Sequence, residues 1–234
     1  MPEPENDPVA IVTGAGRGIG RAAAIELSGR GYRLVLASRS RGDLDRTAEE
    51  LGGEASVVAG DVTDPAFPAK LVEAATEGFG RLDAVVHCAG LAPMLPIGQT
   101  DDATLDGVLA TNLTALYRLA RAAWPALTRG GGAVVAVSSQ AARDPLTPFT
   151  AYAAAKSAVN GLVLALAREG GPEGVRAYAV APGAVETQML RAILDETQVP
   201  PEITLDPTDV ADVIAYCLCG PLRHSSGETI YLKK

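Results

Sequence analysis

The sequence predicts a doubly wound α/β fold, with about seven parallel strands and helices on both faces in three layers, α/β/α. Three observations point there. Short apolar, β-branched runs alternate with longer helical patterns along the whole chain. Several of those runs are continuously apolar, as in Ala-Val-Val-Ala-Val over 133–137, which suits strands buried on both faces of a parallel sheet. A glycine-rich turn follows the first run, where a parallel strand feeds a helix.

The first strand is expected over Val9–Thr13, and the turn behind it opens a helix over 18–30. Strands then fall at Arg33–Ser38, Ala55–Ala59, Asp83–His87, Ala133–Ser138, Val175–Ala181 and Glu228–Leu232. Helices are expected over 43–51, 66–79, 102–129, 150–169, 186–196 and 207–219. No repeat, low-complexity tract or internal linker divides them, so residues 9–234 read as one domain. Residues 1–8, acidic and rich in proline, read as a disordered tail without the basic start and apolar stretch of a signal peptide.

Charge and cysteine content narrow the classes of partner. The chain has 28 acidic against 20 basic residues, a formal charge of −8, which argues against a nucleic-acid partner. No uninterrupted apolar stretch reaches the roughly 18 residues that span a bilayer, so no membrane partner is expected. Cys88, Cys217 and Cys219 have no metal-ligand spacing and cannot all pair; a cytoplasmic location follows, and no metal is expected. Cys217-Leu-Cys219 reads as part of a buried helix.

The segment Ala10-Ile-Val-Thr-Gly-Ala-Gly-Arg-Gly-Ile-Gly-Arg21 runs from strand through turn to helix. Gly14, Gly16, Gly18 and Gly20, with Ile19, would let backbone amides approach a diphosphate at a helix N-terminus. The spacing is not the literal G-x-G-x-x-G, and an ordinary glycine-rich loop is the bland alternative. At the end of the second strand, Ser38 and Arg39 stand where an NAD site usually places an acid. A guanidinium can grip a 2′-phosphate, and Arg17 could close on the same group, so NADP(H) is preferred over NAD(H). Each arginine could also be a solvated surface residue.

Tyr152 and Lys156 lie four residues apart in Ala-Tyr-Ala-Ala-Ala-Lys, on one face of a helix. An ammonium beside a phenol favours the phenolate and is expected to lower its pKa. Ser138 and Ser139 end an apolar strand just upstream. Strand side chains alternate, so one of them faces a pocket, and the interval to Tyr152 favours Ser139.

The ordered set Thr13-Gly-x-x-x-Gly-x-Gly20, Gly60-Asp-Val62, Ala89-Gly90, Asn112, Ser139, Tyr152-x-x-x-Lys156 and Pro182-Gly183 with Thr187 covers nearly the whole chain. With it the chain resembles the single-domain short-chain dehydrogenases/reductases, and within them the bacterial 3-oxoacyl-carrier-protein-reductase-like group. The resemblance implies a Rossmann fold and a catalytic set of Asn112, Ser139, Tyr152 and Lys156. Tyr152 would be the proton donor, Ser139 a hydrogen-bond donor to the substrate carbonyl, and Lys156 a ligand of the ribose hydroxyls. Asn112 would complete a proton path through water; alternatively it caps or kinks its helix. Asp61 and Val62 would hold the adenine, and Ala89-Gly90 would pass the nicotinamide-side ribose. Pro182, Gly183, Val185 and Thr187 would line the nicotinamide and diphosphate.

The implied activity is NADPH-dependent reduction of a ketone to a secondary alcohol. Its alternatives are oxidation of an alcohol or sugar hydroxyl, or a non-catalytic NADP-binding sensor, which would be expected to lose the tyrosine or lysine. The resemblance also implies a homodimer or homotetramer through helices 102–129 and 150–169, and a substrate lid over 188–206. An acyl-carrier protein is a minor option, with Arg129 and Arg168 as docking candidates. The chain departs from the family's Asn-Asn-Ala-Gly at His87-Cys88-Ala89-Gly90. His87 reads as a hydrogen-bonded strand-end residue and Cys88 as a small buried filler.

Overall fold

A computed structural model describes residues 7–234, so most of the tail expected over 1–8 lies outside the described residues. Pro8 is already held, its carbonyl accepting from the Arg33 amide at 2.9 Å. Seven strands, β1 (Val9–Thr13), β2 (Arg33–Ser38), β3 (Ala55–Ala59), β4 (Ala84–His87), β5 (Ala133–Val137), β6 (Arg176–Pro182) and β7 (Thr229–Leu232), form one sheet in the order β3-β2-β1-β4-β5-β6-β7. Every adjacent pair is parallel. Chain order reverses between β1 and β4, so the strands on either side diverge from that point and leave a crevice at their carboxyl ends.

The continuous apolar runs are explained by the two faces they serve. Ala10, Val12, Leu34, Leu36, Val86, Val135 and Val180 face a core shared with α1 (Gly18–Gly29) and α8 (Pro207–Cys219). Their neighbours Val9, Ile11, Val35, Val85, Val134 and Ala179 face a second core, shared with α3 (Phe67–Thr76), α5 (Ala115–Gly130) and α6 (Thr150–Gly170). Because strand residues alternate, a strand covered on both sides must be apolar at every position. Fully burying one such Val, Leu or Ile contributes roughly 1.5–3 kcal/mol.

Helix starts follow local capping chemistry. The α2 helix (Arg41–Glu49) begins two residues before the expected 43, because the Ser40 hydroxyl accepts from the Asp43 amide at 3.3 Å. The α8 helix opens on a capping box between Asp206 and Asp209, with Pro207 at its first position. By contrast, α1 starts at Gly18 behind an extended Arg17 with no side-chain cap, which leaves its first amides for another acceptor.

Two expected helices differ from the structure. The span 102–129 is α4 (Asp102–Leu109), a wider π turn (Ala110–Thr114), then α5. Hydrophobic periodicity gives little sign of such a widening, because the one-residue shift it makes in the apolar pattern falls within a span of only five residues. The span 186–196 contains only a short α7 (Gln188–Arg191), started by Thr187 and followed by irregular turns. Cys217 is buried as expected, but Cys219, at the last turn of α8, is exposed. By length and apolarity alone, α6 could cross a bilayer. Its Val159, Val163, Leu166 and Ala167 instead pack in the core shared with the sheet, and Ala155 and Lys156 are buried too, so it is a core helix.

Candidate active site

A cleft of about 830 Å³ runs along the carboxyl ends of the strands. Its floor begins at the glycine turn. Gly14 has φ +69°, and a Cβ there would stand 2.9 Å from the Ala89 amide nitrogen; one on Gly20 would stand 2.2 Å from the Gly14 carbonyl oxygen. Glycine is therefore required for the strand-to-helix bend, and the bend aims the uncapped start of α1 into the cleft. Gly16, Gly18 and Ile19 line the same wall. Such a cradle fits a diphosphate, and Ser38, Arg39, Asp61, Val62, Ala89 and Gly90 continue the lining toward either end.

The arginines are placed differently from each other. Arg39 lines the cleft and lies near enough to Asp61 to help hold its carboxyl low, although the hydrogen bonds from Thr63 do most of that. Arg17 lines the cleft too, but its guanidinium turns to the lid, donating to Gln188 Oε1 at 3.0 Å. Sequence reading also missed an acid here. Asp43, on the first turn of α2, comes back so close that a Cβ on Gly16 would be 2.8 Å from its Cβ. It is paired with Arg46. The absence of an acid beside Ser38 in sequence gave no signal of one folding back from four residues on.

The two serines part as alternation requires. Ser138 is buried and its hydroxyl is spent on Asn160 Oδ1 at 2.6 Å and the Lys156 carbonyl at 3.3 Å. Ser139 turns to the cleft, which it lines with Tyr152, and accepts from the Ala141 amide at 3.1 Å. Asn160 also reaches the Tyr231 hydroxyl at 3.4 Å, so β7 braces the strand end that presents Ser139.

Tyr152 and Lys156 share a face of α6, with Nζ 5.6 Å from the phenol ring centre. The expected lowering of the Tyr152 pKa is not the balance that results. Burial dominates and raises it, and the nearby Ser139 hydroxyl offsets only part. Lys156 is itself 3 % exposed, donates to the Val137 carbonyl at 2.8 Å, and is brought down by burial to about 8. A phenol kept protonated beside an ammonium that is still largely charged at neutral pH suits a proton donor.

Asn112 sits fully buried in the π turn. Its Nδ2 donates to the carbonyls of Leu91 (2.8 Å) and Val108 (2.9 Å), and its Oδ1 accepts from the Leu91 amide at 3.4 Å. These bonds shape the helix at the π turn, and through Leu91 they fix the Ala89-Gly90 turn. A Cβ on Gly90 would lie 3.2 Å from Asn112 Oδ1 and 3.9 Å from Lys156 Nζ, so this bare edge faces the ammonium. Pro182, Gly183, Val185 and Thr187 line the opposite wall, where Thr187 Oγ1 accepts from the Leu190 amide at 3.2 Å. The lid beyond is tied at both ends, by Val185 pairing with Leu205 and by the Arg191–Glu186 ion pair. Its Met189, Leu190, Ile193, Leu194 and Val199 all line the cleft.

The pattern of the short chain dehydrogenase family matches residues 8–198. The chain belongs to the short-chain dehydrogenases. It is 31 % identical over 231 residues to the 3-oxoacyl-[acyl-carrier-protein] reductase FabG of Vibrio cholerae, covering 96 % of this chain and 95 % of the relative. Among solved structures, it is similar to the 3-ketoacyl-(acyl-carrier-protein) reductase of Brucella melitensis complexed with NADH. That likeness has a TM-score of 0.91 and 26 % identity over 97 % of this chain and 96 % of the other. It is also similar to the 3-oxoacyl (acyl-carrier-protein) reductase of Agrobacterium tumefaciens with NADP bound, with a TM-score of 0.88 and 27 % identity over 96 % and 92 %.

Cys88 packs against the core as a filler would, but it is only half-buried and also lines the cleft; burial pushes its thiol up to about 12, so it stays neutral. Arg129 and Arg168 end helices that lead into β5 and β6. That places both at the amino edge of the sheet, opposite the cleft, where neither can dock a carrier at its mouth. His87 is satisfied as expected, with Nδ1 2.9 Å from Thr13 Oγ1 and Nε2 3.4 Å from the Thr111 carbonyl. Thr13 Oγ1 also accepts from the Ala89 amide at 3.3 Å, so this histidine joins β1, the Ala89-Gly90 turn and the π turn that holds Asn112.

Burial, aided by the Lys156 charge, lowers the His87 pKa from 6.5 to about 3, so the folded protein keeps it neutral. Below the unfolded value the unfolded chain binds a proton that the native state refuses. The His87 contribution to stability is therefore present above pH 6.5 and is lost as pH falls toward about 3. Urea unfolding at a series of pH values should show His87→Asn with a shallower acid slope, by up to one proton or about 1.4 kcal/mol per pH unit. An unchanged slope would mean that His87 is not buried neutral.

Proposed function

We propose that the chain is an NADPH-dependent reductase that converts a ketone to a secondary alcohol, with Tyr152 as proton donor. The observation that carries this reading is the protonated Tyr152, which lines, with Ser139 and Lys156, a cleft whose far end is the glycine cradle. A bound nicotinamide cofactor supplies the hydride; the residues of the chain do the rest. The Ser139 and Tyr152 hydroxyls face the carbonyl oxygen as charge builds on it, and preorganised donors are worth most in a site closed to water. Tyr152 then yields its proton to that oxygen, and the Lys156 ammonium stabilises the phenolate left behind. Lys156 would also hold the ribose hydroxyls, while Asn112 keeps the Gly90 edge in place for them.

For the cofactor, Arg39 and Arg17 support NADP(H), since a 2′-phosphate gains from guanidinium groups within reach. Arg17 would exchange Gln188 for the phosphate. Asp43 favours the second reading, NAD(H), because a carboxylate beside Gly16 and Ser38 would accept from ribose hydroxyls. We favour the phosphorylated cofactor because Asp43 is already paired with Arg46, and Asp61, the carboxylate that feels the Arg39 charge, is occupied by Thr63. We also propose a homo-oligomer built through the exposed faces of α4 to α6, where Leu105, Tyr117 and Leu164 stand in solvent.

Two measurements test the reading. In Tyr152→Phe, ketone reduction should fall by at least about 100-fold while cofactor affinity, followed by fluorescence titration, stays within about 3-fold. Equal turnover in the variant would sink the mechanism. In Arg39→Ala, the dissociation constant for NADPH should rise about 10-fold with little change for NADH, the size expected for one lost charge-assisted contact. A parallel change for both cofactors would show that Arg39 does not read the 2′-phosphate.

A further inference from the structure

A hydrogen bond joins the lid to the glycine turn, and both of its partners line the cleft. Arg17 donates to Gln188 Oε1 at 3.0 Å, between residues 171 positions apart in the chain. The glycines on either side of Arg17 show where else its guanidinium can go. A Cβ on Gly16 would stand 3.1 Å from Ser38 Oγ, and one on Gly18 would stand 3.2 Å from Thr187 Cγ2. Successive Cα atoms are only about 3.8 Å apart. Arg17 therefore sits between the Ser38–Arg39 corner and the start of the lid, with its long side chain in reach of both.

The two destinations differ in charge. At the Ser38–Arg39 corner the guanidinium would meet the 2′-phosphate of NADP(H), where NAD(H) offers only a hydroxyl. At the lid it meets a neutral amide oxygen. That oxygen is held in a defined place, because Gln188 is the first residue of α7, whose start is fixed by Thr187 Oγ1 accepting from the Leu190 amide at 3.2 Å. The bond to Gln188 must be given up before Arg17 can grip a phosphate. Only the phosphorylated cofactor incurs that loss.

We propose that Gln188 is a specificity-determining residue for the cofactor. It holds Arg17 at the lid and competes with the 2′-phosphate for the guanidinium, so it weakens NADPH binding and leaves NADH binding alone. Arg17 and Arg39 set the preference for the phosphorylated cofactor, and Gln188 limits how large it becomes. This rests on the reading of Arg17 as a ligand of the 2′-phosphate given above.

The test uses dissociation constants for NADPH and NADH, read by fluorescence titration and expressed as the ratio of the NADH value to the NADPH value. A change that acts on the shared diphosphate cancels in that ratio, which isolates the 2′-phosphate. Exposed side-chain pairs are weak, so Gln188→Ala should raise the ratio about 3-fold. Gln188→Glu, whose carboxylate can grip a guanidinium through two bonds, should lower it by about 3-fold or more. In an Arg17→Ala background both changes should vanish, as a double-mutant cycle requires of a direct pair. Arg17 and Gln188 are both exposed, so these substitutions leave the core untouched. A ratio that is the same in wild type, Gln188→Ala and Gln188→Glu, or changes that persist without Arg17, would overturn the assignment and leave the reductase intact. If Arg17→Ala alone leaves the ratio unchanged, Arg17 does not read the phosphate, and the assignment falls while Tyr152 chemistry stands. If the wild type binds neither dinucleotide, the reductase reading itself falls, and this assignment with it.

Discussion

The site depends on one constraint: all seven strands point the same way. Each strand ends at the same rim, and past the last ladder bond the backbone must find new partners or leave its polar groups exposed. At this rim the divergence between β1 and β4 opens the crevice, and the residues that follow each strand become its walls. Gly14 follows β1, Ser38 and Arg39 close β2, Cys88 to Gly90 follow β4, Ser138 and Ser139 follow β5, and Gly183 follows β6. Helices return on the faces, so only their amino ends, α1 above all, meet the rim. That geometry gathers residues far apart in sequence, and it explains why Arg129 and Arg168, at the far ends of their helices, lie outside it.

Burial does the electrostatic tuning. Tyr152 is held protonated, His87 neutral, and Lys156 is brought from 10.5 to about 8. The lysine costs stability: the unfolded chain holds that proton more tightly, so folding is penalised below about pH 8, and the penalty fades as pH rises toward 10.5. Its bond to the Val137 carbonyl, Asn160 behind Ser138, and the Thr13–His87–Thr111 chain are the interactions that hold this strained electrostatic arrangement in shape. Functional sites commonly sacrifice stability in this way.

Strands and the glycine turn were legible in the sequence because apolar continuity and glycine demand are local properties. The Tyr152–Lys156 pair was legible because helical spacing fixes a shared face. What their proximity does was not, since the sign of the Tyr152 shift depends on how much water burial removes, a tertiary quantity. The π turn at Asn112 escaped because its one-residue shift of the period spans only five positions, and the lid helix expected over 186–196 ends at Arg191, whose guanidinium turns to Glu186 and the Val199 carbonyl. Asp43 escaped for a simpler reason. Nothing in one sequence tells which way a polar side chain on a loop or first turn will face.

The proposed pairing of Tyr152 as an acid with a charged Lys156 can be read in the pH dependence of kcat/KM for ketone reduction. With both groups protonated at low pH, the profile should be flat through neutrality and fall in a single limb above about pH 8, where Lys156 loses its proton. A rate that instead climbs through neutrality toward pH 9 or so would mean that the working form of the site is the deprotonated one, and would contradict the account.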